Sequence, residues 1–536
     1  MKLLNSKPTL IFSAMSVSNL SRPLGILLAA LLVWGTSPTD TAIAREASKG
    51  ALQNLPVAFA ESYLDRVVDR VSDFTLDNGM KFIVLERHES PTVSFITYAD
   101  VGGVNEPIGQ TGVAHFLEHL AFKGTDRIGT RNYSAEKPLL ARLDELFAKI
   151  LAAKADNDMA EVERLQAEFD ELQAEANQYA IQNEFGQIVE REGGVGLNAT
   201  TSADATRYFY SFPANKLELW MSLESERFLN PVFREFYKEK QVILEERRLR
   251  TDNSPIGTLI EEYLDAAFQE HPYRQPTIGY PEDLANLTRQ NVQDFFDKYY
   301  VPNNLTVAVV GDVDTDRVRE LAEVYFGRFE AGEEPPAVNV VEPPQTEARE
   351  VEVTFPSQPW YLEGYHRPAI DHPDNAVYEI IESILSDGRT SRLYRSLVEQ
   401  QQVALTAQGL NGFPGDKYPN LILFYALTAP NRSVEEVAAA LHEQIELLKT
   451  EPVSEAELER VKTQARAALL RSLDSNSGMA AILAEYEVKT GDWRNAFDKL
   501  EAIEAVTAED VMRVARETFR PENRTIGRLL PPNNEQ

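Results

Sequence analysis

The sequence predicts an α+β chain made of two similar halves, and three observations lead there. Some stretches alternate apolar and polar residues, as strands do. Others repeat apolar residues every three or four positions, as amphipathic helices do. The order strands, helix, strand, helices occurs once before and once after a Pro- and Glu-rich segment at 330–346, which suggests a degenerate internal repeat. At 536 residues, 43% hydrophobic and 26% charged, the chain is too long for one ordinary domain and long enough to bury large cores.

Taken in order, residues 1–44 read as an export signal. Lys2, Lys7 and Arg22 precede the apolar run Leu24 to Trp34, and Ala42-Ile43-Ala44 suits cleavage before Arg45. This predicts an exported, periplasmic protein, with an uncleaved N-terminal membrane anchor as the alternative because the basic region is long. The apolar run itself is short for a membrane span. Residues 45–73 read as a leader. A first domain is predicted over 74–329. In it "MKFIVLE" and "TVSFITYAD", with Asp77-Asn78-Gly79 as the turn signal, read as antiparallel strands.

A helix over "GVAHFLEHLAF" follows. Residues 136–180 then carry Leu139, Leu143, Leu146 and Ile150, and next Val162, Leu165, Phe169 and Leu172, all at helical spacing, with "ADND" at 155–158 between the two sets. That pattern is a helical hairpin, an antiparallel coiled coil inserted in the first domain. "GGVGLNATTSADATRYFYSFP" returns to strand character. Long helices are expected from Lys216 to about Thr251 and from Pro255 to Gln269, and a strand over Asn303–Val313. Residues 330–346 lack apolar periodicity and read as a linker. The second domain, 347–531, starts afresh with "REVEVTF" and "PWYLEGYHRP" as strands and "NAVYEIIESILS" as a helix. "LILFYALTAP" follows as a strand, and then amphipathic helices from Ser433.

The net charge is −31, and −33 once residues 1–44, which carry a net +2, are removed. Such a field repels nucleic acid and anionic lipid and favours basic partners, so nucleic-acid binding is not expected. The chain has no cysteine, which excludes disulfides, thiolate metal sites and thiol nucleophiles. Any metal must be held by His, Asp or Glu.

There are only seven histidines, and two of them, His115 and His119, sit four residues apart with Glu118 directly before the second. On a helix, residues four apart share a face, so both imidazoles can reach one ion. Glu118 borders that face and is placed to act as a general base. This is an H-x-x-E-H arrangement. A catalytic zinc needs a third protein ligand and an open position. In "FYKEKQVILEERRLR", Glu239, Val242 and Glu246 follow i, i+3, i+7 and share a face, whereas Glu245 lies with Lys238, Gln241 and Arg248 on a charged one. The face argument points to Glu246 as the ligand and Glu239 as a supporting carboxylate. His271, next to Pro272 in a loop, reads as structural.

The segments "GVAHFLEHLAFKGT", "GGVGLNATTS", "PVFREFYKEKQVILEERR", "HPYRQPTIGYPEDL" and "YYVPNNLTVAVVGDV" occur in the order seen in the insulinase/pitrilysin family of zinc metallopeptidases. The chain resembles its shorter branch, which includes processing-peptidase subunits, over nearly all of residues 70–530. The resemblance implies two homologous α/β-sandwich domains forming one half of a clamshell. It implies one Zn2+ per chain held by His115, His119 and Glu246, with Glu118 as catalytic base and Glu239 in support. It also implies that the strand around Asn198 and Ala199 pairs with an extended peptide substrate, a β-augmentation. The 127 residues between His119 and Glu246 exceed the family gap, and the hairpin accounts for the excess.

Relatives that act alone or complete a partner carry an Arg and a Tyr seven residues apart in the second half. In the register set by "SRL" at 391–393, those positions fall on Val398 and Leu405, both apolar. The second half also has no H-x-x-E-H. The expectation is a zinc-dependent endopeptidase subunit that hydrolyses peptides, basic ones favoured by its charge, in a heterodimer with a zinc-less paralogue that supplies the Arg/Tyr pair. The alternative is a non-catalytic assembly or peptide-binding subunit.

Overall fold

The computed structural model describes residues 66–532; residues 1–44, read above as an export signal, lie outside them. Its strands are β1 (Val71–Thr75), β2 (Lys81–Glu86), β3 (Thr92–Ala99), β4 (Val195–Thr201), β5 (Thr206–Pro213), β6 (Leu305–Gly311), β7 (Arg349–Thr354), β8 (Trp360–Arg367), β9 (Ala404–Phe413), β10 (Asn420–Thr428) and β11 (Arg524–Leu530). The first-half helices are α1 (Val113–Leu120), α2 (Tyr133–Ala155), α3 (Met159–Ala176), α4 (Glu184–Arg191), α5 (Leu217–Leu229), α6 (Phe236–Arg247), α7 (Pro255–Ala267), α8 (Pro281–Asn286), α9 (Arg289–Tyr299) and α10 (Thr315–Tyr325). Those of the second half are α11 (Asn375–Ser386), α12 (Val434–Thr450), α13 (Glu455–Asp474), α14 (Asn476–Thr490), α15 (Asn495–Ala505) and α16 (Ala508–Thr518).

Two sheets organise the described residues, a six-stranded one in the order β1-β2-β6-β3-β5-β4 and a five-stranded one in the order β7-β11-β8-β10-β9. Apart from the extra edge strand β1, the second order repeats the first strand for strand. In both, the pair at the β1-side end of the repeat, β2/β6 or β7/β11, is parallel and the rest are antiparallel. The internal repeat is therefore a topological fact as well as a sequence echo. The central strand β6, "LTVAVVG", is buried along its whole length, as suits a Val-rich strand covered on both faces. β5, nearer the edge, alternates buried and half-buried residues with the period of two of a strand that shows one face to the core.

Several details differ from the sequence reading. The turn at Asp77–Gly79 joins β1 to β2, so the first strand begins within the segment read as leader and runs into the first domain. β2 and β3 do not pair, because β6 inserts between them. The helix expected from Lys216 to Thr251 is two: α5 ends at Leu229, the chain turns through Asn230-Pro231, and α6 starts at Phe236. Proline has no N–H to continue the ladder. β9 was not foreseen. Its polar and Gly-containing sequence, "ALTAQGLNGF", is that of an edge strand, where packing asks little of the side chains. The hairpin is present as α2 and α3, reversed at Asp156-Asn157-Asp158, where Asn157 takes a left-handed φ of 57° and Asp158 caps α3 through Glu161 N–H.

Each sheet is covered on one face by helices of its own half and on the other by a helix from the other half. On the first sheet, Ile83, Leu85, Ile96, Tyr98, Ala308 and Val310 pack with Met479, Ala480 and Leu483 of α14 and with Trp493 and Phe497. On the second, Tyr263 of α7 is buried against the sheet, and its hydroxyl donates to Thr525 O at 3.3 Å. Gly364 on β8 makes room for that hydroxyl: a Cβ there would lie 2.3 Å from it. Gly364→Ala is expected to unseat Tyr263 and destabilise the chain by about 1–3 kcal/mol, read as a lower midpoint in thermal denaturation. Among the described residues no helix is long and apolar enough to cross a membrane.

Candidate metal centre

α1 presents the histidine pair. Its N-cap, Gly112, has φ 85°, and a side chain there would collide with Ile278 O at 2.7 Å, so glycine suits the position. No side chain at the cap satisfies the first N–H groups. The carboxylate of Glu106, reaching in from the preceding loop, accepts from Gly112 N–H at 2.8 Å and Ala114 N–H at 2.9 Å. A carboxylate at a helix N-terminus also meets the positive end of the helix dipole. α1 packs on α6, with Phe116 stacked on Phe236 at a ring-centroid distance of 4.6 Å. This contact aligns the histidine face of one helix with the carboxylate face of the other.

The result is one cluster. His115 Nε2 lies 3.8 Å from Glu246 Oε1, and His119 Nε2 lies 3.5 Å from Glu246 Oε2. One ligand atom from each of His115, His119 and Glu246 fits within a span of 4.8 Å, the single such His/Asp/Glu group among the described residues. Two ligands bound tetrahedrally at about 2.0–2.2 Å from zinc sit roughly 3.3–3.6 Å apart, so this donor set fits a zinc ion with little movement. Burial holds His115 well below the usual imidazole range, which keeps its ring neutral and its lone pair available to a metal.

Glu239 supports the cluster. Its Oε1 lies 2.9 Å from His119 Nδ1 and its Oε2 lies 2.5 Å from Lys123 Nζ. With the His119 Nδ1–H donated to Glu239, Nε2 is left to face Glu246. Burial pushes the Glu239 carboxyl up, but the bonds from His119 and Lys123 outweigh it and leave it below its ordinary value. Burial lowers His119 as well, yet the hydrogen bond to Glu239 and the surrounding carboxylates reverse that, and its proton affinity is raised.

Glu118 is buried at 5% exposure on the β4 side of α1, where its Oε2 accepts from Thr201 Oγ1 at 2.8 Å. Burial raises its proton affinity, partly opposed by the Thr201 bond. β4 is an edge of its sheet and pairs only with β5. Asn198 is exposed on it and bonds Ala199 N–H through its own side chain at 2.9 Å, while Ala199 is fully buried.

The structure thus brings His115, Glu118, His119, Glu239 and Glu246 together, with Asn198 and Ala199 on the neighbouring edge strand. His271 is elsewhere, buried among Phe268, Tyr273 and Tyr418, with Nδ1 accepting from Tyr273 N–H. Val398 packs against the second core, and Leu405 is exposed on β9. Four residues at the site had not been singled out. Thr201 lies within a quoted motif but is one of several threonines there. Lys123 also lies within a quoted motif, four residues after His119, and Glu106 carries no local signal. Arg250, whose Nη1 is 2.7 Å from Glu246 Oε1, follows Glu246 by four residues, the spacing of a helical ion pair, and could have been found that way.

Comparison with known proteins gives a consistent picture. Residues 81–141 and 173–280 match the model of the insulinase family (peptidase family M16), and residues 286–465 match that of the peptidase M16 inactive domain. The chain is 30% identical over 479 residues to zinc protease PqqE of Helicobacter pylori, covering 88% of this chain and 94% of that protein. It is 24% identical over 484 residues, 87% of this chain and 92% of the relative, to a probable mitochondrial-processing peptidase subunit beta of Schizosaccharomyces pombe. A crystal structure of a protease from Helicobacter pylori superposes with a TM-score of 0.73 at 30% identity, covering 86% of this chain and 99% of that one.

Proposed function

The chain belongs to the insulinase (M16) peptidase family, and from that premise we propose that it is the catalytic, zinc-binding subunit of an endopeptidase. The observation that carries this reading is the convergence of His115, His119 and Glu246 on one ion-sized point, with the buried carboxylate of Glu118 beside it. A zinc ion held by these three residues would polarise the scissile carbonyl and acidify a water molecule. Glu118, its proton affinity raised by burial, is placed to accept a proton from an attacking water and would pass it to the leaving amine. Thr201 fixes the carboxylate by donating to one of its oxygens. Glu239 fixes the His119 ring. The free edge of β4 offers backbone N–H and C=O groups to an extended peptide, which gives affinity with little demand on sequence.

Three finer parts belong to the same proposal. The substrate is a peptide or unfolded segment, with basic ones favoured by the net charge of −31. The protein is exported to the periplasm, as residues 1–44 suggest. It works with a zinc-less paralogous chain that supplies the Arg and Tyr absent at Val398 and Leu405.

Metal analysis of freshly purified protein is expected to find about one zinc per chain. None would favour the non-catalytic assembly or peptide-binding alternative. Peptide hydrolysis, followed by mass spectrometry of the fragments, is expected to rise sharply when the companion captured from the native source is added. Full hydrolysis by the chain alone, with no response to any companion, would remove the heterodimer from the proposal.

A further inference from the structure

The family model breaks off at residue 141 and resumes at 173, so most of the α2–α3 hairpin is an addition to the shared fold. The addition does not stand apart from the metal centre. It grips α6, the helix that supplies Glu239 and Glu246. Tyr237 on α6 lies edge-on to Phe169 of α3 and tilted against Phe147 of α2, each at 4.9 Å between ring centroids. The Tyr237 hydroxyl donates to Asp144 Oδ1 at 2.9 Å, and Arg289 of α9 pairs with the same carboxylate. Lys240, one residue past Glu239, is buried with Nζ 4.1 Å from the centre of the Phe147 ring, and it donates to Ala285 O and Leu287 O.

At 100° per residue, Lys240 and Tyr237 lie roughly 110° and 170° around α6 from the face that carries Glu239 and Glu246. The helix is therefore held from two sides: by α1 at the ligand side and by the hairpin at the other. A packed aromatic path joins the two grips. Phe147 and Phe169 touch Tyr237, Tyr237 touches Phe236 at 4.9 Å, and Phe236 stacks on Phe116, the neighbour of His115.

We propose that the hairpin is a brace for the metal centre: Phe147 and Tyr237 are positioning residues that set the depth and rotation of α6, and through it the fit of Glu246 to the ion held by His115 and His119. The physical argument is that a carboxylate ligand gains affinity from being held in place before the ion arrives. Groups that orient ligands typically contribute about 10–100-fold in metal affinity. An arm that merely projected to meet a partner would leave this face of α6 indifferent to the hairpin's side chains. This inference rests on the zinc reading above.

The test is zinc affinity, measured on the full chain by competition with a chelator after the protein has been stripped and reloaded. Phe147→Ala is expected to weaken zinc about tenfold or more, with far-UV circular dichroism unchanged. Phe147→Tyr, which keeps a ring against Tyr237 and Lys240, is expected to restore it. Met159→Ala, at the hairpin tip, where the side chain is 65% exposed, is expected to have no effect. Tyr237→Phe, which removes only the bond to Asp144, is the milder second variant and is expected to fall between. Hydrogen exchange across 236–247 supplies a readout independent of zinc, and Phe147→Ala is expected to speed it. If wild-type protein binds no zinc, the zinc reading fails by itself, and faster exchange in Phe147→Ala would still support the brace. Zinc affinity and exchange both at wild-type level in a folded Phe147→Ala protein would overturn it.

Discussion

Glu118→Gln is expected to keep about one zinc per chain and to lose peptide hydrolysis by a factor of about 10²–10⁴, the range that a positioned general base supplies. The amide is nearly the same size and can still accept from Thr201 Oγ1, so the packing at this 5%-exposed position is preserved. What disappears is the group that takes a proton from water. The pair of measurements matters more than either alone. Lost hydrolysis with zinc retained places Glu118 in the chemistry. Zinc lost along with activity would show that the substitution had disturbed His115 and His119 instead. Hydrolysis at the wild-type rate would remove Glu118 from the mechanism.

The largest effect on stability is expected at Glu136→Ala. Glu136, in the first turn of α2, forms an ion pair with Arg234 at 3.0 Å, and both side chains are only 1% exposed. Arg234 also donates to Lys123 O, Thr125 O and Ile128 O, and so holds the loop that follows the histidine helix. Removing the carboxylate leaves a buried guanidinium with carbonyl partners but no counter-charge. Breaking such a pair costs about 3–5 kcal/mol, and the three carbonyls put the expected loss at ~3 kcal/mol. Chemical denaturation followed by circular dichroism would measure it. The double variant Glu136→Leu/Arg234→Met, which removes the stranded charge as well, is expected to recover part of the loss.

Much of the fold was legible because its signals are local. The alternation in β5 and the apolar spacing of the hairpin are consequences of strand and helix geometry and need no knowledge of distant residues. The metal cluster was legible for a different reason. His115 and His119 share a face by helix geometry alone, and Glu239 and Glu246 share one in the same way, so each half of the cluster is local even though 127 residues separate His119 from Glu246. That the two faces meet was an expectation from family resemblance. What escaped is what depends on tertiary pairing. β2 pairs on one side with β6, more than two hundred positions away. Thr201, Lys123 and Glu106 act only because folding brings them to Glu118, Glu239 and the start of α1. Charged residues on an amphipathic helix usually face water, and nothing in the sequence alone marks the buried ones.

The trading of helices between the sheets sets how the chain would respond to cutting. A protease that nicked the extended connection at 330–346 would produce two fragments, neither of which owns all the walls of its own interior: the front piece would miss α14, and the rear piece would miss α7. The fragments should therefore travel as one particle on a sizing column while running as two bands on a denaturing gel. Either piece made by itself should come out insoluble.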